Sequence, residues 1–290
     1  MNFKEVLLVV NPISGQTDKK KIIDDVKQKI EKENLNLHLF STTGEDDQKK
    51  IKSEIEKNHI DRVIVAGGDG TINLVAEVMK GSGITMGIIA AGSANGMAEN
   101  LNLPEIFEEQ LEIALGPNYL NIDILCLNDI ICLHISDLGI NAELIKNYEG
   151  SNIRGKFGYL IQSIPTLMQS EYPFLFNIQT EQTTKEAEAV LLGFANANKY
   201  GTGANVNPQG KPNDGIFEIL IFKKLNLIEI LKTLKNETEL DPDFVEIIPA
   251  REAIITCKKP VSFQIDGEYI GEETKIEIKM LPEKLRIAIP

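Results

Sequence analysis

The sequence predicts an N-terminal α/β domain of parallel strands followed by a C-terminal β-rich domain built as an antiparallel sandwich. Two patterns and the chain length predict it. Up to about Tyr119, short apolar runs alternate with segments of helical periodicity, the signature of parallel strands joined by crossover helices. Beyond Tyr119, mostly strand-like runs are separated by Gly, Asn, Asp or Pro turns. The 290 residues suit about two domains.

In the first domain Val6 to Val10 reads as a buried strand. Ile22, Ile23, Val26 and Ile30 recur at helical spacing, and Leu35 to Phe40 reads as a second strand. Ile51 and Ile55 mark a second helix, Val63 to Ala66 a third strand, and Ile72, Val75, Ala76 and Met79 a third helix. Thr85 to Ala90 is the fourth strand, followed by a short helix from about Ala94 to Leu101. In the second domain the expected strands are Leu120 to Leu127, Ile130 to Ser136, Phe174 to Thr180, Ala187 to Ala195 and Gly215 to Phe222. Ile247 to Thr256, Pro260 to Ile265 and Lys275 to Met280 complete them, with helices inserted near 142–169 and 225–236. Leu285 to Ile289 is apolar enough to return to the first domain. The expected division is therefore 1–119 with 281–290, and 120–280.

Composition narrows the function. With 42% hydrophobic and 25% charged residues the chain can bury an ordinary core. The 30 basic and 43 acidic side chains give a net charge of −13. That balance argues against nucleic acid, whose affinity rests on neutralising phosphates, and against constitutive adhesion to an anionic membrane. Two lysine clusters, at Lys19, Lys20, Lys21 and at Lys49, Lys50, Lys52, read as solvated helix faces. Cys126, Cys132 and Cys257 lie in apolar runs without metal-site spacing and read as reduced core thiols. No apolar run approaches the roughly 18 to 20 residues of a membrane span, and the N-terminal run is short for a signal peptide. A cytoplasmic location is expected.

The strongest chemical signal is Ala66-Gly67-Gly68-Asp69-Gly70-Thr71-Ile72-Asn73, which follows a strand and opens a helix. Backbone N–H groups and the helix dipole hold phosphate at such a turn, and glycine lets the backbone come close. Asp69 inside a phosphate cradle points to Mg²⁺ or to proton management; as plain turn chemistry it would be a helix cap. Two further loops follow strands, Asn11-Pro12-Ile13-Ser14-Gly15 and Ala91-Gly92-Ser93-Ala94-Asn95. Ligands collect at the carboxyl ends of parallel strands, so three such loops together favour a nucleotide site. It is not a Walker A loop.

With these segments in view, the sequence resembles the diacylglycerol kinase catalytic-domain family of soluble lipid kinases, which includes bacterial diacylglycerol kinases and, more distantly, sphingosine and ceramide kinases. The matching segments are NPISG at 11–15, GGDGTIN at 67–73, GSAN at 92–95, Asn196 through Gly215, and FQIDGE at 263–268. The GGDGT element is shared with NAD kinases; the NDG and DGE elements favour the lipid kinases.

The resemblance implies an N-terminal domain of the NAD kinase and phosphofructokinase kind, a larger β-rich domain, and an active site in the cleft between them. By position it implies that Asn11, Pro12, Ile13, Ser14, Gly15, Thr42, Gly67, Gly68, Asp69, Gly70, Thr71, Ile72, Asn73 and Ser93 line a site for ATP. Asp214, with the carbonyls of Lys211 and Ile216, matches the family's Mg²⁺ site, and Glu268 matches the general base. The implied substrates are a nucleoside triphosphate and a lipid hydroxyl met by transient contact with the membrane surface, and homodimer formation is left open.

On residue chemistry alone, Asp266 and Glu268 lie two apart on a strand and share one face, or else form a DG hairpin turn with solvated acids. The family's third loop commonly reads G-T-x-N-D-F, whereas here Gly96 stands where the acid would be. That departure keeps open a catalytically silent nucleotide- or lipid-binding regulator, and the shared GGDGT element an NAD kinase-like phosphotransferase. His38, His59 and His134 match no role and read as surface or packed residues. The segment from Arg154 to Met168 reads as an apolar-faced helix with a basic start, packed in the core, lining an acyl-chain channel or touching membrane.

Overall fold

The computed structural model describes residues 3–15, 17–93, 95–149, 172–199, 205–226, 229, 232–233 and 240–290. The chain divides into two compact units, Met1–Ile122 with Glu283–Pro290, and Asp123–Pro282.

The first unit alternates β1 (Glu5–Val10), α1 (Lys19–Lys32), β2 (Asn36–Ser41), α2 (Asp47–Lys57), β3 (Arg62–Gly67), α3 (Asp69–Met79) and β4 (Thr85–Ala90), then adds α4 (Gly96–Asn100) and α5 (Phe107–Leu115). The strands lie in the order β2-β1-β3-β4, all parallel. The chain's last strand returns here: Arg286 and Ile287 pair in parallel with Thr85 and Met86 of β4. Helices on a parallel sheet bury it from both faces, which is why β1 and β3 are almost continuously apolar and fully covered. At the end of the order, β2 alternates between half-buried and exposed residues. Successive strands run outward from β1 on one side and from β3 on the other. The carboxyl ends of β1 and β3 therefore flank the crevice where such sheets take ligands.

Helix α5 has no counterpart in the expected elements, although Phe107, Leu111, Ala114 and Leu115 recur at helical spacing and the last three are buried. It packs closely on β4: a Cβ at Gly87 would sit 2.4 Å from the Ala114 Cβ. The Arg62 guanidinium donates to the carbonyls of Ala114 (2.9 Å) and Gly116 (3.1 Å), satisfying the helix's C-terminal end.

The second unit is a β-rich sandwich. Its elements are β5 (Tyr119–Leu127, which enters from the first unit), β6 (Ile130–Cys132), β7 (Ile135–Gly139), α6 (Ile140–Glu149), β8 (Phe174–Thr180), β9 (Thr184–Ala189) and β10 (Leu191–Ala195). They continue with β11 (Phe217–Phe222), β12 (Val245–Ala250), β13 (Glu252–Ile265) and β14 (Glu268–Ala288). Strands β12-β11-β10-β7-β13-β14 form consecutive antiparallel neighbours. Besides β14, the long β13 serves two partners. Its first half pairs with β8 and its last residues with β7, and its pairing with β14 shifts register between Thr256 and Val261. That irregularity accommodates Pro260, which cannot donate to a ladder. Phe176, Phe194, Phe217 and Phe263 fill the core between the inner faces.

Several expected strands differ in extent. The run from Ala187 to Ala195 breaks at Val190 and the run from Ile247 to Thr256 breaks at Arg251, while Pro260 to Ile265 belongs to one long β13. Of the expected helix near 142–169, residues to Glu149 are helical in α6; the remainder, including Arg154 to Met168, and most of 225–236 lie outside the described residues.

Candidate functional site

In the first unit three strand-end loops converge. Asn11, just after β1, donates its main-chain N–H to the Ala66 carbonyl (3.2 Å) and its side-chain Nδ2 to Thr71 Oγ1 (3.1 Å). The Ile13 N–H donates back to Asn11 Oδ1 (3.1 Å), and Ser14 Oγ reaches the carbonyls of Asn11 (3.2 Å) and Ala91 (3.3 Å). Gly15 adopts φ +58, and a Cβ there would lie 2.5 Å from the Ala91 oxygen. Only glycine satisfies both demands. Gly68 is extended, but a Cβ on it would lie 3.1 Å from Gly92 Cα, and one on Gly92 would lie 2.3 Å from Gly68 Cα. The second and third loops therefore touch main chain to main chain. Thr42, after β2, donates its N–H to the Val10 carbonyl (2.9 Å) at the base of the first loop.

The structure thus places Asn11 to Gly15, Thr42 and Gly67 to Asn73 together, with Ser93 exposed on the loop that begins at Ala91. Within the group the residues differ in what they present. The N–H groups of Thr71 and Ile72 are spent on the Gly68 carbonyl, and both side chains are buried. Asp69 and Gly70 open α3, so their N–H groups have no partner within the helix. Pro12 is exposed and Ile13 is 89% exposed. The Asp69 carboxylate is committed to a neighbouring helix: Oδ2 accepts from the Gly96 N–H (2.7 Å) and Oδ1 from the Met97 N–H (2.9 Å), at the start of α4. It caps α4 rather than its own helix, whose cap position is Gly68. At the position that is acidic in the resembling family, Gly96 contributes a main-chain donor to Asp69.

Lys19 departs from expectation. Its side chain is buried at the start of α1, and Nζ donates to the Ala91 carbonyl (2.8 Å) rather than pointing to solvent. Burial lowers its pKa from the ordinary lysine value. Lys20 and Lys21 are exposed, as expected.

In the second unit Ile265 and Glu268 flank a tight turn between β13 and β14. Asp266 (φ 49) and Gly267 (φ 88) form its centre, the Asp-Gly hairpin geometry with both central residues at positive φ. The two acids do not share a face, and Asp266 is not solvated: it is 3% exposed, whereas Glu268 is exposed. Asp266 Oδ1 accepts from the N–H groups of His134 (3.0 Å) and Ile135 (3.1 Å) and from the Cys132 thiol (3.3 Å), and it lies 2.7 Å from His134 Nδ1. Oδ2 accepts from the Leu133 N–H (2.7 Å). Burial alone would raise the Asp266 pKa. The facing His134 and the backbone N–H groups outweigh it and hold the carboxyl at about 2. The same carboxylate, with burial again the larger cause, raises the Cys132 thiol. Gln264 Oε1 accepts from the Gly267 N–H (2.8 Å), so the turn carrying Glu268 is tied at both central residues. His134, which matched no role, is 4% exposed and is a central part of this support.

The turn at 211–216 is clamped by Asp123, which is 2% exposed. Its N–H donates to the Pro212 carbonyl (2.7 Å) and its Oδ2 accepts from the Gly215 N–H (2.7 Å). Lys211, Asp214 and Ile216 line a cavity of about 1040 Å³ shared with Asn207 and Glu218. Burial raises the Glu218 pKa against the lowering hydrogen bond from Asn207 Nδ2 (2.6 Å), with Asp214's charge raising it further. One exposed carboxylate and two carbonyls in one turn are hard oxygen donors, which suits Mg²⁺ or Ca²⁺ rather than a soft metal. Among the described residues no cluster of three His, Cys, Asp or Glu forms a metal site.

Comparison with known proteins matches both halves of the chain. Residues 5–127 match the family model described as the diacylglycerol kinase catalytic domain. Residues 137–289 match that of the YegS C-terminal NAD kinase beta sandwich-like domain. Proteins of Salmonella dublin and Salmonella typhimurium named "Probable lipid kinase YegS" are each 26% identical over 298 aligned positions, covering 100% of this chain and 97% of theirs. Among solved structures, a Bacillus anthracis diacylglycerol kinase superposes with TM-score 0.76 at 20% identity, covering 100% of this chain and 98% of that one. An Archaeoglobus fulgidus NAD kinase, solved in complex with ATP, gives TM-score 0.55 at 13% identity over 98% of this chain and 93% of its own. At these identities the solved structures establish the fold.

Proposed function

The chain belongs to the lipid-kinase family in which a diacylglycerol kinase catalytic domain precedes a YegS C-terminal NAD kinase beta sandwich-like domain, and on that premise we propose that it transfers the γ-phosphoryl group of ATP to a lipid hydroxyl. The observation that carries this reading is the convergence of the loops at Gly15, Gly68 and Gly92 beside the β1–β3 crevice. Backbone N–H groups there, led by those of Asp69 and Gly70, cradle phosphate. Asn11 and Ser14 set the shape of the first loop, and Thr42 and Ser93 border the nucleotide.

Phosphoryl transfer depends mainly on positioning and on charge stabilisation. Glu268 takes the proton of the lipid hydroxyl as its oxygen bonds to the γ-phosphorus, while the bond to the β-phosphate oxygen breaks and ADP leaves. Asp69 acts by fixing the start of α4 against the phosphate loop. Asp214 and the carbonyls of Lys211 and Ile216 would hold Mg²⁺, which would supply positive charge at that turn. The lipid is met by transient contact with the membrane surface from the cytoplasm; among the described residues no helix is long and apolar enough to cross a membrane.

Gly68→Val is expected to force the second and third loops apart and abolish ATP binding, measured by equilibrium dialysis, while circular dichroism stays native. Normal ATP binding by that variant would make the loop an ordinary turn. For the metal, Mg²⁺ is expected to raise the Tm of the wild-type protein and to leave that of Asp214→Asn unchanged. An equal rise in both would place the ion elsewhere.

A further inference from the structure

Lys19 lies on the buried face of α1 with Ile22, Val26 and Ile30, at spacings of three, seven and eleven residues. Burying an ammonium without a countercharge is costly, and burial is the cause behind its lowered pKa. Its bonding partner among the described residues is the neutral Ala91 carbonyl at 2.8 Å, and it forms no ion pair. An ammonium has three N–H donors, so one carbonyl leaves capacity for a further acceptor. The helix start gives it no partner: α1 has no acidic residue in its first turn, and the N-cap carboxylate of Asp18 accepts from the N–H groups of Lys20 and Lys21.

The position of that charge accounts for its retention. The Ala91 oxygen that receives Lys19 also receives Ser14 Oγ, is the atom a Gly15 Cβ would strike, and belongs to the residue whose N–H donates to the Gly67 carbonyl (2.9 Å). The ammonium therefore sits one carbonyl away from all three loops that converge on the crevice.

Resting on the nucleotide reading of that site, we infer that Lys19 is a further nucleotide-binding residue, supplying cationic charge to the triphosphate from beneath the loops while it ties the third loop to α1. It does from the first turn of a helix what a phosphate-loop lysine does elsewhere, acting as a point charge on phosphate oxygens. The anion in turn supplies the countercharge that the buried ammonium otherwise lacks.

The test uses Lys19→Met, which removes the charge at similar length, and Lys19→Gln, which keeps a donor for Ala91 without the charge. Exposed Lys20→Met is the control. Affinities for ATP and for adenosine are measured by calorimetric titration, and Tm by thermal denaturation. Both Lys19 variants are expected to weaken ATP binding by about 10- to 100-fold while adenosine binding changes by less than about twofold. Lys20→Met should bind ATP as the wild type does. Should Lys19→Met lower Tm enough to compromise the fold, Lys19→Gln decides. Unchanged ATP affinity, or equal losses for ATP and adenosine, would overturn the inference. A wild-type protein that binds neither would overturn the nucleotide reading itself, and this inference with it.

Discussion

Glu268→Gln is expected to lower kcat by about 10²- to 10⁴-fold, the usual worth of general-base assistance, with little change in ATP affinity. The substitution keeps the shape and most of the hydrogen bonding of the side chain and removes its basic oxygen. Glu268 is exposed on a hairpin held by Asp266 and Gln264, so the variant should fold as the wild type does. Steady-state kinetics with ATP and lipid varied separately will check this. A loss confined to KM for ATP would place Glu268 in the nucleotide site, and full retained activity would remove it from the chemistry. Asp266 is then a poor substitute base: its oxygens already accept bonds from the N–H groups of Leu133, His134 and Ile135.

The second large effect is on stability. Asp266→Asn places an amide where N–H groups and His134 converge on a carboxylate. Breaking a buried charged pair from one side costs about 3–5 kcal/mol, which for a unit of this size lowers Tm by roughly 10 °C. The loss has a defined pH dependence. The folded carboxyl sits at about 2, below the unfolded value of about 3.9. Its contribution, about 2–3 kcal/mol, is therefore complete above the unfolded pKa and fades as pH falls towards the folded one. The Tm gap between wild type and Asp266→Asn should be widest near neutral pH and narrow between about pH 4 and pH 2. A gap that stays constant over that range would show that the carboxylate's charge does not stabilise the fold.

Much of the first unit was legible because its inner strands β1, β3 and β4 are buried on both faces and so read as apolar runs, while the loops after them carry residues that a turn alone does not need. Helix α5 was legible in principle, since Phe107, Leu111, Ala114 and Leu115 have helical spacing, but its four acidic and amide side chains among nine residues mask it. Lys19 was misread because charge runs average over neighbours. Taken at its position on the helix, it continues the stripe of Ile22, Val26 and Ile30. The support beneath Glu268 was not legible. Asp266 and His134 are far apart in sequence, and only the pairing of β13 with β7 brings them together. The division of work between Asp69 and Gly96 is equally non-local, because a main-chain N–H from α4 has no signature in residue type.

The most direct test of the central claim is transfer of label from γ-³²P-ATP, with Mg²⁺, to a panel of diacylglycerol, other lipids bearing a free hydroxyl, and NAD. Label should pass into at least one lipid, in an organic-soluble product whose formation depends on Glu268. Label passing into NAD alone, or into nothing while ATP is bound, would contradict the account.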